Sequence, residues 1–396
     1  MADRPSSSEQ RREAINAPCR RRPWLILPAA MAAASLTALL GGCGVSESAA
    51  TQNAYLASLN GLNIDSEVGR EYEEVHVTPP LSVSPAVQET LDTAKKSGDW
   101  AAARARLQAI ADENPQDPSA WYYLGRVLTD AKAYDESVKA LTQAVALRSD
   151  LPELWLDLAT ADLNAGKRDD AYTAAHTAAA ADPTSAPSLQ RAARIFYQIG
   201  RYDAAEMALN TLTGLVPEDP SAWHDRGRNL AASGRANLAT ACFERSMTLY
   251  GKLEQPTPVQ KRDYAEVLTD YGIVLQWDHS DTKAKLLFEQ ASSIDPNYAM
   301  AWYKLSQQQS IPRLKPLYDV DAAIRNANKA VALSDAKNDE FLHQLAKVYA
   351  MGGNLDRAVV AEEQASLLVK DKYTRTLQML KKLQSDHSRV FDPDQF

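Results

Sequence analysis

The sequence predicts an all-α solenoid, in which short helix pairs are stacked along one axis. From residue 118 to residue 251 the same pattern recurs at a step of 34 residues without a slip, starting at Trp121, Trp155, Leu189 and Trp223. A turn position and a small residue after it keep the same step: Lys132, Gly166, Gly200 and Gly234, then Ser137, Ala171, Ala205 and Ala239. A fixed period in this range is typical of repeat solenoids, whose units bury their apolar faces only against neighbours.

Each unit is predicted to contain two helices. Trp121, Leu124 and Leu128 recur at three and four residues, which places one apolar stripe on a first helix. A glycine near the middle of most units permits a tight turn. Small residues such as Ala171 then let a second helix pack closely, and a proline such as Pro183 stops that helix.

These residues resemble the tetratricopeptide repeat, whose pattern is Trp-x2-Leu-Gly-x2-Tyr, then Ala-x3-Phe, then Pro. Trp121-Tyr-Tyr-Leu124-Gly125 carries the opening, and Ala239 with Phe243 carries the middle. The resemblance implies a right-handed solenoid of about eight helix-turn-helix repeats over residues 85–370. A polar capping helix and a loose tail are expected over residues 371–396.

Along the chain, a degenerate first unit precedes the four regular ones. The register then breaks at a surplus segment, residues 251–260, and resumes eleven residues late. Three further units follow, and the second of them has an enlarged turn at residues 311–316.

The N-terminus predicts an exported and lipid-anchored protein. Three arginines at residues 20–22 precede an uncharged stretch, as in a secretory signal peptide over residues 1–42. Leu40-Gly41-Gly42-Cys43 resembles the bacterial lipobox, which implies removal of the leader and lipid attachment at Cys43. Residues 43–84 are expected to form a flexible tether. The body would face the periplasm or the cell exterior, and Gly44 favours the outer membrane in a diderm.

Two alternatives remain open for this leader. Residues 24–42 are about long enough to span a bilayer as an uncleaved anchor helix. Arg21-Arg22 also resembles a twin-arginine export signal, although a charged leader alone explains these arginines.

Composition argues against several classes of function. The net charge is −8, and beyond residue 42 the chain holds 37 basic against 48 acidic residues, which disfavours nucleic-acid binding. Cys242 is expected to be a small buried residue rather than part of a disulfide. The six histidines are scattered singly, and the chain has neither a phosphate-binding glycine loop nor a Gly-x-Ser-x-Gly turn. We therefore expect no enzymatic activity, metal or cofactor.

The resemblance also implies a binding groove, because first helices line the concave face of tetratricopeptide superhelices. The residues predicted to line it are Tyr122, Arg126, Arg191, Arg194, Tyr197, His224, Arg228, Tyr303, Lys304 and Lys347. Arginine holds carboxylates in a fork, so an acidic or C-terminal segment of a partner is the expected ligand. The alternative is a solvated face whose arginines pair with Asp157, Asp225 and Asp270. The repeated tryptophans are expected to fill the space between paired helices as core residues.

We therefore expect a membrane-anchored adaptor that binds envelope proteins or peptides. The alternative is a non-catalytic subunit of an envelope enzyme, export or pilus-assembly complex that docks through residues 251–260 and 311–316.

Overall fold

The structure, a computed structural model, describes residues 81–386. Cys43, the predicted leader and the tether up to residue 80 lie outside these residues, as does the predicted tail after residue 386. Within residues 81–386 the chain forms seventeen helices and no strand. Their bounds are α1 (Pro85–Ser97), α2 (Trp100–Glu113), α3 (Pro118–Asp130), α4 (Tyr134–Leu147), α5 (Pro152–Asn164), α6 (Arg168–Ala181), α7 (Ala186–Ile199), α8 (Tyr202–Leu215), α9 (Pro220–Ala232), α10 (Ala236–Tyr250), α11 (Pro258–Trp277), α12 (Asp281–Ile294), α13 (Ala299–Gln309), α14 (Val320–Leu333), α15 (Asp339–Met351), α16 (Leu355–Leu368) and α17 (Thr374–Ser385).

The helices form eight consecutive pairs, from α1/α2 to α15/α16, and α17 packs against α16 as a cap. Each second helix packs against the first helix of the next pair. Successive first helices also contact one another, whereas successive second helices do not approach as closely. The stack therefore curves with the first helices inside, and their exposed surface is called the inner face below. The predicted all-helical repeat fold with a C-terminal capping helix is confirmed.

In seven of the eight described units, all except α13/α14, the turn between the two helices contains one left-handed residue. Gly166, Gly200 and Gly234 have φ values of +78°, +87° and +78°. Lys132 and His279 take the corresponding position in their units with φ values of +58° and +53°, a conformation that costs a residue with a side chain about 1–2 kcal/mol.

A second class of glycine lies where paired helices cross. At Gly227 an added Cβ would lie 2.7 Å from the ring of Phe243, and at Gly272 it would lie 2.5 Å from the ring of Phe288. Both rings are fully buried. The first helix thus lies directly on an aromatic ring of the second helix, and this packing is the same before and after residues 251–257.

The repeated tryptophans are half-buried and connect neighbouring units. Each indole N–H donates to the carbonyl oxygen six residues earlier, at the end of the preceding unit: Trp121 to Pro115 (3.0 Å), Trp155 to Ser149 (2.9 Å), Trp223 to Pro217 (2.9 Å) and Trp302 to Pro296 (3.0 Å). The tryptophans were expected to act only as core residues, and the structure shows that they also form hydrogen bonds between units. Cys242 is buried as predicted, and burial raises the pKa of its thiol to about 11.

The two insertions lie in different kinds of connection. Residues 251–257 join a second helix to the next first helix and end in a capping box, in which Thr257 and Gln260 bond each other's backbone N–H groups. Residues 310–319 join the two helices of one unit. Because paired helices run antiparallel through short turns, these two kinds of connection lie at opposite edges of the stack. Among the described residues, no helix combines the length and apolar character needed to cross a bilayer.

Candidate functional site

The inner face carries charged side chains that pair across neighbouring units. Arg194 on α7 donates through Nε to Asp225 on α9 at 3.0 Å, and Gln190 Nε2 donates to the same carboxylate at 2.9 Å. Burial alone would raise the pKa of Asp225, but the charges of Arg194 and His224 and the Gln190 hydrogen bond lower it. Asp225 is therefore held as a carboxylate between two first helices.

The next contact in the row is centred on Asp270 of α11. His224 Nε2 lies 2.9 Å from its carboxylate, and Arg228 Nε lies 3.6 Å away. Burial would raise the pKa of Asp270, but the His224 hydrogen bond and the Arg228 charge lower it. The Arg228 guanidinium also lies 5.7 Å from the ring centroid of Tyr197 on α7. Arg228 thus connects three first helices.

The row begins on α3 and α5. Arg191 on α7 pairs with Asp157 on α5, and the Arg126 guanidinium lies 5.8 Å from the ring centroid of Tyr122. Burial and the charge of Asp157 raise the pKa of Tyr122, whose side chain is buried. We call the whole row the charge ladder; it comprises Arg126, Asp157, Arg191, Arg194, Asp225, His224, Arg228 and Asp270.

The alternative to a binding groove was a face whose arginines pair with Asp157, Asp225 and Asp270. The ladder contains these ion pairs, since each of the three aspartates pairs with an arginine. Pairing does not hide the arginines. The Arg194 side chain is 41% exposed and that of Arg228 is 31% exposed. A guanidinium has five N–H donors, so an arginine that holds one carboxylate can also bind a second.

Four of the predicted groove residues are buried, and two of them, Tyr122 and His224, belong to the N-terminal units. Tyr303 is 7% exposed and Lys304 is 9% exposed, so little of either side chain is available to a partner. Burial lowers the pKa of Lys304 to about 8, although the charges of Glu340 and Asp270 act in the opposite direction. Lys347 on α15 is half-buried.

Sequence reasoning missed a polar cluster that holds the cap. His343 Nδ1 lies 3.0 Å from both carboxylate oxygens of Glu362, a fully buried residue of α16. The ring of Tyr373 stacks on His343 with centroids 4.6 Å apart, and its hydroxyl donates to Asp339 at 2.7 Å. The only signal in the sequence was a glutamate between Ala361 and Ala365, in an otherwise small-residue stripe.

The arrangement is suited to binding. Charged, amide and aromatic side chains point from several helices toward one surface. Within residues 81–386 no group of three or more histidine, cysteine, aspartate or glutamate side chains is placed to hold a metal ion.

Comparison with known proteins identifies the repeats. Two sequence models, both described as tetratricopeptide repeat, match residues 91–152 and 163–225. Human tetratricopeptide repeat protein 7B (Homo sapiens) is 34% identical over 84 residues, which are 21% of this chain and 10% of that protein. The chain thus spans about a tenth of the length of this curated relative. It contains tetratricopeptide repeats, a class of repeat that binds peptide or protein partners.

Solved structures with a similar fold include the Cut9–Hcn1 hetero-tetramer of APC/C. It is 18% identical with a TM-score of 0.47, over 71% of this chain and 52% of that chain. YrrB, described as a tetratricopeptide repeat protein with an unusual peptide-binding site, is 15% identical with a TM-score of 0.38. That match covers 49% of this chain and 95% of YrrB.

Proposed function

We propose that this chain is a non-catalytic adaptor of the bacterial cell envelope that holds a segment of a partner protein on its inner face. The observation that carries the proposal is the charge ladder, which offers partly exposed arginines on neighbouring first helices, with Tyr197 beside them. An extended partner segment would cross these helices and meet one arginine after another.

The chemistry of the ladder favours carboxylates in the partner. Arginine binds a carboxylate through two parallel N–H donors, and both Arg194 and Arg228 are fixed in place by an aspartate. A fixed side chain loses less rotamer freedom when a ligand binds, so a preorganised arginine binds a second carboxylate at lower entropic cost. An acidic or C-terminal segment is therefore the proposed ligand.

Affinity capture from gently solubilised membranes tests this function. The full chain and its Arg126/Arg194/Arg228→Ala variant are compared by mass spectrometry. The matched control is Arg104/Arg148/Arg245→Ala, which removes three arginines that each pair with a carboxylate outside the first helices. Partners present with the wild type and the control but missing from the inner-face variant support the proposal. Identical lists from all three contradict it.

Because loss of Arg228 leaves the carboxylate of Asp270 with one cation fewer, each variant is first checked for its thermal midpoint. Arg126/Arg194→Gln, which leaves Arg228 in place, provides a second variant if the triple substitution unfolds. The same partners should be lost.

The membrane anchor is a separate part of the proposal and depends on the lipobox-like residues before Cys43. Lipid attached to one cysteine, with a further acyl chain on its amine, gives stable anchoring where a single chain is marginal. Metabolic labelling with a fatty acid should mark the wild type and Cys19→Ser, but not Cys43→Ser. Labelling of Cys43→Ser would contradict this anchor.

The second candidate function, docking through the insertions, is favoured by exposed apolar side chains there. Leu253 and Val259 lie at the first insertion, and Tyr318 lies at the second. Since the insertions occupy opposite edges, they would form two docking sites rather than one. Leu253/Val259→Ser and Tyr318→Ser should each remove different partners if these sites operate.

A further inference from the structure

The first described residues of the chain reach the inner face. Leu81 is 3% exposed and belongs to the same buried cluster as Tyr122 of α3 and Leu156 of α5. Tyr122 is predicted to line the groove, and Leu156 occupies the same repeat position 34 residues later. Three residues later, the backbone N–H of Ser84 donates to Ser119 Oγ at the start of α3 at 3.2 Å. Residues 81–84 therefore pack against the second and third units before α1 begins.

The residues before Leu81 have the composition of the expected ligand. Glu71, Glu73 and Glu74 lie together, and Pro79-Pro80 immediately precedes Leu81. Proline fixes φ near −65° and biases the residue before it toward extended backbone, so the sequence favours extended backbone at residues 78–80.

An extended chain is long enough to reach the ladder. Glu74 precedes Leu81 by seven positions, and an extended chain covers about 3.3 Å per residue, or roughly 23 Å. Neighbouring packed helices lie about 8–10 Å apart, so two steps from α3 to α7 require roughly 16–20 Å. A chain that continues from Leu81 along the inner face therefore brings Glu73 and Glu74 to Arg191 and Arg194.

We propose that residues 71–80 lie along the inner face of α3, α5 and α7 as an intramolecular ligand, with Glu73 and Glu74 on Arg191 and Arg194. This inference rests on the proposed function of the inner face as a peptide-binding surface. An external partner would then have to displace the chain's own segment. The ligand class is the same in both cases: an extended segment with closely spaced carboxylates.

The covalent connection between residues 71–80 and the repeats determines how strongly the internal segment competes with an external peptide. A covalently joined segment acts at an effective concentration on the order of 1 mM. For a segment whose free affinity lies at about 10–100 μM, this weakens external peptide binding by roughly 10- to 100-fold. Removing the carboxylates of the internal segment should therefore strengthen binding of an external copy.

The probe is a fluorescent peptide of residues 70–82, titrated by anisotropy against the full chain in mild detergent. We expect Glu71/Glu73/Glu74→Gln in the chain to bind it at least tenfold more tightly than the wild type. The matched control is Glu47→Gln with Asp65→Asn and Glu67→Gln, which removes three carboxylates elsewhere in the predicted tether. It should bind the peptide as weakly as the wild type does.

Adding Arg191/Arg194→Ala to the tight-binding variant should remove the gain, and a peptide with its three glutamates replaced by glutamine should not bind. Equal affinity for the wild type and the glutamate variant, including no binding to either, overturns the proposal. The capture experiment is independent of this one. Captured partners without a peptide effect would defeat the internal ligand alone, and a peptide effect without partners would defeat the adaptor function alone.

Discussion

Arg191 lies in the units before residues 251–257, called the regular half of the stack below, and Lys304 lies in the units after these residues. The two side chains occupy the same position in their repeats. In the 34-residue register, each lies one unit after an aspartate at the same position, Asp157 for Arg191 and Asp270 for Lys304. The Arg191 side chain is 22% exposed and pairs with Asp157, whereas Lys304 is almost fully buried and Asp270 is bonded to His224. One repeat position thus produces a partly buried ion pair in one half and a buried amine in the other.

The difference shows that a repeat position does not by itself determine a binding surface. Arginine stays charged in any surroundings, and Arg191 bridges two units while its side chain stays 22% exposed. Lysine shifts its pKa when it is buried, and Lys304 does so. At this repeat position the inner face is therefore more accessible to a partner on α7 than on α13.

The largest expected effect tests a feature that both halves share. Gly227→Ala and Gly272→Ala each press a methyl group into a buried phenylalanine ring, so each should lower the free energy of unfolding by about 1–3 kcal/mol. Gly214→Ala, where nothing lies within 4 Å of the added Cβ, is the control and should not destabilise. Urea denaturation measures all three. A normal stability for either crowded variant would show that the helix crossing is looser than described.

Replacing Arg191 and Lys304 with methionine should change the stability of the protein in opposite directions. Lys304→Met removes a poorly solvated charge and should stabilise the protein by about 1–2 kcal/mol at pH 7. Arg191→Met removes the ion-pair partner of Asp157 and should destabilise the protein by about 1–2 kcal/mol. Denaturation curves should shift in opposite directions. A shift in the same direction would mean that burial does not distinguish the two sites.

The pH dependence of the Lys304 effect has a definite sign. The unfolded lysine has a pKa near 10.4 and the folded one a pKa of about 8, so between these values the unfolded state binds more protons. The Lys304 contribution to stability should therefore rise from about pH 8 toward pH 10, and Lys304→Met should lack this rise.

Asp162 in the regular half is a buried acidic residue whose effect on stability should also depend on pH. It is buried at a position where other units have Leu128, Phe196 and Leu230, and burial together with Asp170 raises its pKa to about 6. Between about pH 4 and pH 6 the folded state binds more protons, so the Asp162 contribution to stability should fall as pH rises through this window. Asp162→Leu should add about 1–2 kcal/mol at pH 7 and abolish this dependence. Unchanged stability at pH 7 would indicate that the carboxylate is well solvated.

The smallest expected effect concerns the turns. Lys132→Gly and His279→Gly relieve a left-handed backbone, one in each half, and should each stabilise by about 0.5–1 kcal/mol. Gly166→Ala, at the equivalent turn, should destabilise by a similar amount. Thermal midpoints measure these shifts. A loss of stability in either glycine variant would mean that the replaced side chain makes a contact that matters more than the strain.

The repeat fold was predictable because its determinants are local. The 34-residue step, the turn position at Gly166 and the small residues after it specify two helices and a turn in each unit. The position of the Trp121 indole was harder to predict, because its N–H donates across a unit boundary. The burial of Lys304 and the Glu362–His343–Tyr373 cluster depend on packing between units and against the cap, which no single repeat encodes.

The candidate site was predictable in residue type but not in pairing. The arginines and the aspartates were both visible in the sequence, yet which aspartate each arginine contacts depends on the offset between neighbouring helices. The buried position of Leu81 had no signal beyond an apolar residue after two prolines.

Photo-crosslinking in cells tests the central claim, that partners bind on the inner face, most directly. A photoreactive amino acid would replace Thr160 on the inner α5 or Lys347 on the inner α15. On second helices it would replace Met207, which is 75% exposed, or Leu286, which is 60% exposed. We predict one recurrent partner adduct from position 160, weaker adducts from position 347, and none from positions 207 and 286. Adducts from the second-helix positions alone would contradict the account.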